Sequence, residues 1–336
     1  MTADRHGASS VTVREATAAD SEALIRLELE SPVVSGDVEE TADHSPDYFA
    51  SHGVQAEYRI VLGEVGGRAA GVMAGVMQAP LVQGKRHRLA YIQQARVHPE
   101  FLGRRVAWEM ANALFAWAAE RGGEGPYYLI SPENERSLEF VERGGRRWPV
   151  DVSLVDIDVS AADEGGAERL PADRLGEAVE LINATHGDDE MFEPLTEESL
   201  AQRLGRNPGY GIEDVYGVFE GGRLVAAGGL WDKGATTERI RVDRSTGETL
   251  RTRSAHVVDW GHAAGAEEAF GELLRRLASE ARALGRSSLM VCEPSPGAIP
   301  DIGLPASRFS LALFTPTLEP PSAAAVRGLY VDLLYL

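Results

Sequence analysis

The 336-residue sequence has a single cysteine, Cys292, and no apolar run long enough to span a membrane. One thiol excludes an internal disulfide and a metal cage built from cysteines, and we expect it to pack as a buried apolar side chain. His186 is followed closely by acidic residues, but their spacing matches no metal-binding pattern, so we predict no metal site. The opening residues, MTADRHGASS, lack the apolar segment of a secretion signal, which favours a cytoplasmic location.

Positive charge is also scarce. The chain has 33 Lys and Arg against 52 Asp and Glu, a formal net charge of −19, which argues against nucleic acid or an anionic membrane as a partner. Residues 1–150 hold 16 Lys and Arg against 21 Asp and Glu, whereas residues 151–336 hold 17 against 31. The first half is therefore the better host for an anion. The acidity of the second half favours a cationic partner, although solubility alone also explains it.

The sequence does contain a pattern of short strands and helices that is used twice. In each half a pair of glycines, first at 66–67 and then at 221–222, joins two apolar runs as in a β-hairpin. A further strand, a long helix and another strand follow in both halves. The small, acidic segment 160–166 separates them and predicts two domains, residues 10–160 and 167–336.

Two segments fall outside this repeat. Residues 31–47 are rich in proline, glycine and acids, which predicts a loop with a second helix beginning near Ser45. Residues 329–336 are apolar and read as a last strand.

Residues 91–121 are the most informative stretch. A strand over 91–97 ends at a His-Pro pair, because proline has no N–H to give to the sheet. A helix follows, with apolar residues at helical spacing. Gly103, Arg104 and Arg105 stand at its start, where the first N–H groups lack partners and the helix dipole is positive. This arrangement predicts an anion site.

The second half lacks that site. Ala266, Glu267 and Glu268 stand where the first half has glycine and two arginines. Acidic side chains suit the start of a helix but would repel a phosphate. We expect one working anion site and a second copy kept for architecture or for shaping a substrate pocket.

Two motifs in the first half resemble the GNAT acetyltransferase superfamily. Residues 97–107, VHPEFLGRRVA, are similar to the turn that holds the pyrophosphate of acetyl-CoA in that family. Residues 134–145, NERSLEFVERGG, are similar to a second family segment. The second half resembles the same fold by element order only. The resemblance implies an α/β fold of two tandem domains, each a mostly antiparallel twisted mixed sheet flanked by helices, the second degenerate.

The resemblance also implies a reaction, the transfer of an acetyl group from acetyl-CoA to the amine of a small molecule by direct attack on the thioester. The splayed fourth and fifth strands would hold the thioester arm, and Asn134 would bind the pantetheine or position the leaving thiol. Oligomeric state stays open. The implied cofactor-binding residues are Arg96, Val97, Leu102, Gly103, Arg104, Arg105, Val106, Ala107, Asn134, Ser137 and Phe140.

The chain departs from the family pattern at several of these positions. Leu102 stands where the family prefers Gln or Arg, and Arg105 replaces a glycine but still offers its N–H if its backbone is helical. Gln93 and Gln94 stand where the family often has a glutamate base, and glutamine takes no proton at neutral pH. Val141 replaces the tyrosine that often acts as the acid.

Replacements for the missing acid and base are available nearby. Tyr128 and Tyr91 lie on the two splayed strands and can donate to a thiolate, although the packing of an aromatic side chain in a strand is the plainer reading of each. Glu28 lies near the end of the first helix, where a solvated carboxylate is the plainer reading. Two functions remain: an N-acetyltransferase, and a catalytically silent GNAT-like module that binds acyl-CoA or acts as a scaffold.

Overall fold

The computed structural model describes residues 10–52, 57–206 and 208–336. Within these ranges the chain forms six α-helices, which are α1 (Ser21–Leu29), α2 (Val106–Glu120), α3 (Glu135–Glu142), α4 (Leu175–His186), α5 (Glu197–Arg206) and α6 (Glu267–Ala283).

The strands are mostly short, as the glycine-rich turns predict. Those of the first half are β1 (Val11–Glu15), β2 (Val33–Ser35), β3 (Val38–Asp43), β4 (Tyr58–Val65), β5 (Arg68–Gln78), β6 (Leu81–Val82), β7 (Lys85–Arg86), β8 (Leu89–Val97), β9 (Gly125–Ile130), β10 (Arg146–Arg147) and β11 (Val152–Asp158). Those of the second half are β12 (Glu168–Arg169), β13 (Val215–Glu220), β14 (Arg223–Trp231), β15 (Glu238–Asp243), β16 (Thr249–Thr252), β17 (Ser254–His262), β18 (Ser288–Glu293) and β19 (Ala306–Thr315).

One large sheet runs through both halves in the order β1-β4-β5-β8-β9-β19-β11-β18-β17-β14-β13-β12. The pairs β8/β9 and β17/β18 are parallel, and the other pairs along this path are antiparallel. The predicted mixed, mostly antiparallel sheet flanked by helices is therefore confirmed. At its centre the last strand, β19, lies between β9 and β11, and β11 pairs with β18. Each half thus contributes a strand beside the other, and the division at 160–166 stays a prediction.

The first half packs its long helix tightly on the sheet. Met110, Leu114 and Trp117 of α2 recur at helical spacing and are almost fully buried against β4 and β5. Gly71 in β5 makes this close approach possible, since a Cβ there would lie 2.8 Å from Met110 Cε and 2.8 Å from the carbonyl oxygen of Arg96.

Two predicted segments are wrong. Residues 31–47 form β2 and β3, which join β15 and β16 in a second sheet; ion pairs such as Glu40 to Arg241 (2.6 Å) hold it together. Residues 329–336 form a short 3-10 turn after Asp332, whose side chain accepts from the N–H of Leu334. By contrast, the expected burial of Cys292 is confirmed, and burial raises the pKa of its thiol to about 12.

Candidate functional site

A crevice opens between β8 and β9 because the two strands pair over only part of their length. Pairing runs from Leu89 opposite Gly125 to Tyr91 opposite Tyr127 and then stops. Beyond that point β8 carries a bulge at Gln94, whose φ is 51°, and the register with β5 shifts. A bulge bends its strand, and here it turns β8 away from β9.

The crevice has a volume of about 900 Å³ and brings together most of the residues predicted to bind the cofactor. The predicted residues that line it are Arg96, Val97, Leu102, Gly103, Ala107, Tyr128, Asn134, Ser137 and Phe140. Arg104, Arg105 and Val106 do not line it. The side chain of Arg104 lies over the ring of Phe101, and that of Arg105 lies over the ring of Trp108. Val106 is buried in the core.

The start of α2 forms one end of the crevice. Gly103 has φ +78°, and Arg105, the residue before the helix, is left-handed with φ 64° and ψ 13°, so the condition of a helical backbone at this position is not met. No side chain caps the helix. Its first N–H groups, with the positive end of the helix dipole, are therefore available to an anion in the crevice.

The opposite wall comes from α3 and the end of β9. Asn134 precedes α3, and its Oδ1 accepts a hydrogen bond from the N–H of Ser137 at 3.1 Å. This contact leaves the Nδ2 donor to face the crevice. Phe140 is 37% exposed and presents an apolar ring beside it. Tyr128 lines the same wall, and burial raises the pKa of its hydroxyl, which therefore stays protonated near neutrality.

The other two predicted catalytic residues lie off the crevice. Tyr91 is buried and stacks on Tyr127 with ring centroids 4.9 Å apart. Glu28 is 2% exposed and lies 3.5 Å from Arg96 Nη2 and 3.6 Å from His44 Nε2. Burial alone would raise the pKa of Glu28, but these two groups outweigh it and lower the pKa to about 2. Such a carboxylate is a weak base.

A polar cluster on the other side of the bulge was not predicted from the sequence. Gln94 Oε1 lies 2.8 Å from His52 Nε2 and 3.2 Å from the Tyr48 hydroxyl, which donates to it. Burial lowers the pKa of His52 to about 4, so this ring is neutral near neutral pH. The spacing of Tyr48 and His52 gave a weak local signal, and their contact with Gln94 across more than 40 residues gave none.

The second half has a similar bulge but its crevice is filled. Asp259 in β17 has φ 46°, and the register with β14 shifts beside it. Residues 329–336 lie across the ends of β17 and β18, where the N–H of Leu329 donates to the carbonyl of Pro294 (2.8 Å) and His256 Nδ1 lies 3.3 Å from the carbonyl of Leu333.

An ion cluster fixes this segment. Arg203 Nη1 lies 2.5 Å from Asp259 Oδ1 and 2.5 Å from Asp332 Oδ2, and the Tyr210 hydroxyl donates to Asp259 at 2.9 Å. Burial raises the pKa of Asp259 to about 6 despite the nearby guanidinium. The second half thus uses the position equivalent to Gln94 for internal structure.

Among the described residues, no helix is long and apolar enough to cross a membrane. No group of three or more His, Cys, Asp and Glu side chains in the same part of the chain is arranged to hold a metal ion. His186 is buried, with Nδ1 2.8 Å from Asp189 and Nε2 3.0 Å from the carbonyl of Trp260.

Comparison with known proteins agrees with this geometry. Residues 22–145 match the acetyltransferase (GNAT) family. The chain also resembles the structure of Saccharomyces cerevisiae N-myristoyltransferase with bound myristoyl-CoA, at 10% identity and a TM-score of 0.64, covering 93% of this chain and 84% of that one. A GCN5-related N-acetyltransferase from Sphaerobacter thermophilus matches at 16% identity and a TM-score of 0.61, over 96% and 98% of the two chains.

A third structure is a GCN5-related glucosamine N-acetyltransferase region of a fungal multi-domain β-N-acetylglucosaminidase. It matches at 13% identity and a TM-score of 0.62, over 92% of this chain and 38% of that one. No curated protein sequence matches the chain. At these identities the structural likeness shows a shared fold, and it extends over both halves.

Proposed function

We propose that this chain, whose residues 22–145 match the acetyltransferase (GNAT) family, is an N-acetyltransferase that uses acetyl-CoA and acts on a small amine. The observation that carries this proposal is the crevice between β8 and β9. It has an uncapped helix start at one end and the Gln94 bulge at the other, so a phosphate-bearing donor can bind along it with its thioester near the bulge.

The cofactor arm is assigned to the residues that line the crevice. The N–H groups of Gly103, Arg105, Val106 and Ala107 would receive the pyrophosphate, whereas the N–H of Arg104 donates to the carbonyl of Phe101. The side chains of Arg104 and Arg105 add positive charge nearby. The backbone of Val97 would pair with the pantetheine amides, and Asn134 Nδ2 would donate to the pantetheine or the leaving sulfur. Phe140 would pack beside the arm.

The choice of acetyl-CoA over a longer acyl-CoA is supported by the side-chain packing at the point where β8 and β9 meet. Tyr91 and Tyr127 stack at 4.9 Å just where β8 and β9 begin to pair, and both rings are buried. Two packed aromatic rings leave little room for a long chain between these strands. The N-myristoyltransferase structure has a myristoyl group on its donor, so donor length is a point to test directly.

The reaction follows from the chemistry of the two substrates. A neutral amine attacks the thioester carbonyl, the C–N bond forms, the C–S bond breaks and the thiolate takes up a proton. Tyr128 lines the crevice with a protonated hydroxyl and is the candidate donor of that proton. The acidity of the second half favours a cationic amine, which reaches the site as an ammonium ion and must lose a proton first.

Binding and turnover test the proposal separately. Titration calorimetry with acetyl-CoA should show binding that is abolished by Gly103→Pro, because proline cannot adopt φ +78°, and weakened by Arg104→Glu. Myristoyl-CoA should bind more weakly than acetyl-CoA. Absence of heat or of any thermal shift with either donor would contradict the proposal.

The second candidate is a silent acyl-CoA-binding module, which the glutamines at 93 and 94 and the buried Val141 favour. Release of free thiol from acetyl-CoA in the presence of alkylamines, amino sugars, amino-acid amides and polyamines separates the two. Turnover with any of them supports the enzyme, and binding without turnover supports the silent module.

A further inference from the structure

A small cavity lies where the two halves meet, beside the bulge of β8. Its volume is about 10 Å³, close to the space that one water molecule needs. Gln93 and Gln94 line both this cavity and the large crevice, so these two residues lie between them. From the other half, Trp231 and Lys233 face it. Gln93 Nε2 is buried and has no hydrogen-bond partner among the described residues, which leaves one polar donor free at this junction.

Lys233 is unusual in this chain. Only two of the 33 basic residues are lysines, Lys85 and Lys233, and the rest are arginines. Arginine does not lose its proton in proteins, whereas a lysine in a poorly solvated site can, and Lys233 is half-buried. The Nζ of Lys233 lies 5.5 Å from the centre of the Trp231 ring and makes no ion pair or side-chain hydrogen bond with another described residue. Burial, together with the charge of Arg239, lowers the pKa of Lys233 to about 7.

The other side chains around the cavity do not suit the removal of a proton. Glutamine side chains are not basic at neutral pH. His52 has a pKa lowered to about 4 by burial and already contacts Gln94. The hydroxyl of Tyr335 has a raised pKa and stays protonated. The neighbouring Asp232 is paired with Arg286 at 2.5 Å. The remaining charged or titratable groups near Lys233 are Arg239, Glu28 and His256. Leu336, the last residue of the sequence, lines the same cavity and brings its carboxylate to it, so full activity of Lys233→Met would point to that group instead.

We propose that Lys233, supplied by the second half, is the proton acceptor of the transfer reaction, acting on the amine directly or through one water in the junction cavity; this inference rests on the proposed function. In its neutral form Lys233 takes one proton from the incoming ammonium ion and becomes an ammonium itself. The free amine then attacks the thioester. The second amine proton leaves with the thiol product, and Lys233 returns its proton to solvent, so the reaction releases one amide, one thiol and one proton.

The sharpest test compares two acceptors of similar size, 2-phenylethylamine, which is an ammonium ion at pH 7, and phenylhydrazine, which is neutral there. Lys233→Met should lower kcat/KM for 2-phenylethylamine by about 10²-fold or more, the usual contribution of a general base. The loss with phenylhydrazine should be much smaller, because that amine needs no deprotonation before attack. A merely structural role would reduce both rates alike. Lys85→Met, at an exposed position in β7, is the matched control and should leave both rates unchanged.

The two-lysine composition permits a direct measurement. Protein labelled with ¹³C-lysine should give two side-chain signals, which Lys85→Arg assigns. The Lys233 signal should titrate near pH 7, and kcat/KM for 2-phenylethylamine should rise through the same pH range in the wild type. That rise should be missing in Lys233→Met.

The role of Lys233 as proton acceptor would be overturned if Lys233→Met lost kcat/KM equally with both acceptors. A Lys233 signal that titrates near the ordinary pKa of lysine would also overturn it. So would acetylation of Lys233 itself during turnover, seen by mass spectrometry, because Lys233 would then be a nucleophile. If the wild type binds acetyl-CoA and acetylates an amine but Lys233→Met is fully active, only the inference fails. If the wild type acetylates no amine, the proposed function fails with it. Calorimetry with acetyl-CoA confirms that Lys233→Met is folded.

Discussion

The buried carboxylate of Glu28 should stabilise the folded protein in its ionised form. Its carboxylate is 2% exposed and lies within 3.6 Å of two cationic or ionisable groups, Arg96 and His44. These hold its pKa at about 2 against an ordinary value of 4.5, although burial acts in the opposite direction. A pKa lowered in the folded state means that the ionised form stabilises the fold.

The size of the effect follows from that difference. A pKa of about 2 in the folded state, against an ordinary value of 4.5, corresponds to about 3 kcal/mol of folding free energy at pH 7. The stabilisation is complete above pH 4.5 and is lost as the pH falls towards 2. Glu28→Gln removes it and should therefore lower the free energy of unfolding by about 3 kcal/mol at pH 7, in line with the usual cost of breaking a buried ion pair.

Urea unfolding of wild type and Glu28→Gln at pH 7, 4 and 3 measures the free energy of unfolding of both proteins. The difference between these two free energies should be smaller at pH 3 than at pH 7. Glu30→Gln is the matched control, two residues further along the same chain segment, because its exposed carboxylate only faces His98 at 3.5 Å and should cost less than about 1 kcal/mol. A difference in the free energy of unfolding that is equally large at pH 7 and pH 3 would refute the electrostatic reasoning. It would show that Glu28 stabilises the fold through side-chain packing instead.

Three further predictions concern other parts of the molecule. Gly71→Val should destabilise the protein by about 1–3 kcal/mol in thermal unfolding, because the new side chain would meet Met110; Gly144→Ala, in open space, should be neutral. Arg203→Met should lower the free energy of unfolding in urea by about 3–5 kcal/mol, because it leaves Asp259 and Asp332 unpaired. This destabilisation should become smaller below pH 6, where Asp259 takes up a proton. A destabilisation that is the same above and below pH 6 would contradict the raised pKa of Asp259. Tyr128→Phe should lower kcat with little change in acetyl-CoA affinity, and equal kcat in both proteins would remove Tyr128 as the acid.

Features that depend on nearby residues could be predicted from the sequence. The paired glycines marked the two hairpins, and the pattern over residues 91–121 marked a strand, a turn and a helix, because each signal lies within a few residues. Anion binding at the start of that helix stays a prediction. The motif resemblance added the crevice, and the residues at 96, 97, 102, 103 and 107 do lie along it.

Features that depend on distant partners could not be predicted. The polar strand β3 forms because it pairs with β15 some 200 residues later, where Glu40 also meets Arg239 and Arg241; locally its sequence favours a loop. Lys233 gave no motif at all. Its meaning comes from the fold, which places it in a cavity with glutamines from the other half.

These long-range contacts also bear on the role of the second half. Its own crevice is filled by residues 329–336, yet it contributes β19 to the sheet beside β9, the strand that forms one wall of the open crevice. It also contributes Lys233 to the cavity beside the bulge. Residues 1–160 alone would therefore lack β19, the second neighbour of β9, and the proposed proton acceptor, and the side of β9 away from β8 would be an unpaired edge. We expect this fragment to be unfolded or aggregated by circular dichroism and size-exclusion chromatography. A monomeric fragment that binds acetyl-CoA with the affinity of the full chain would show that the second half is dispensable for the site.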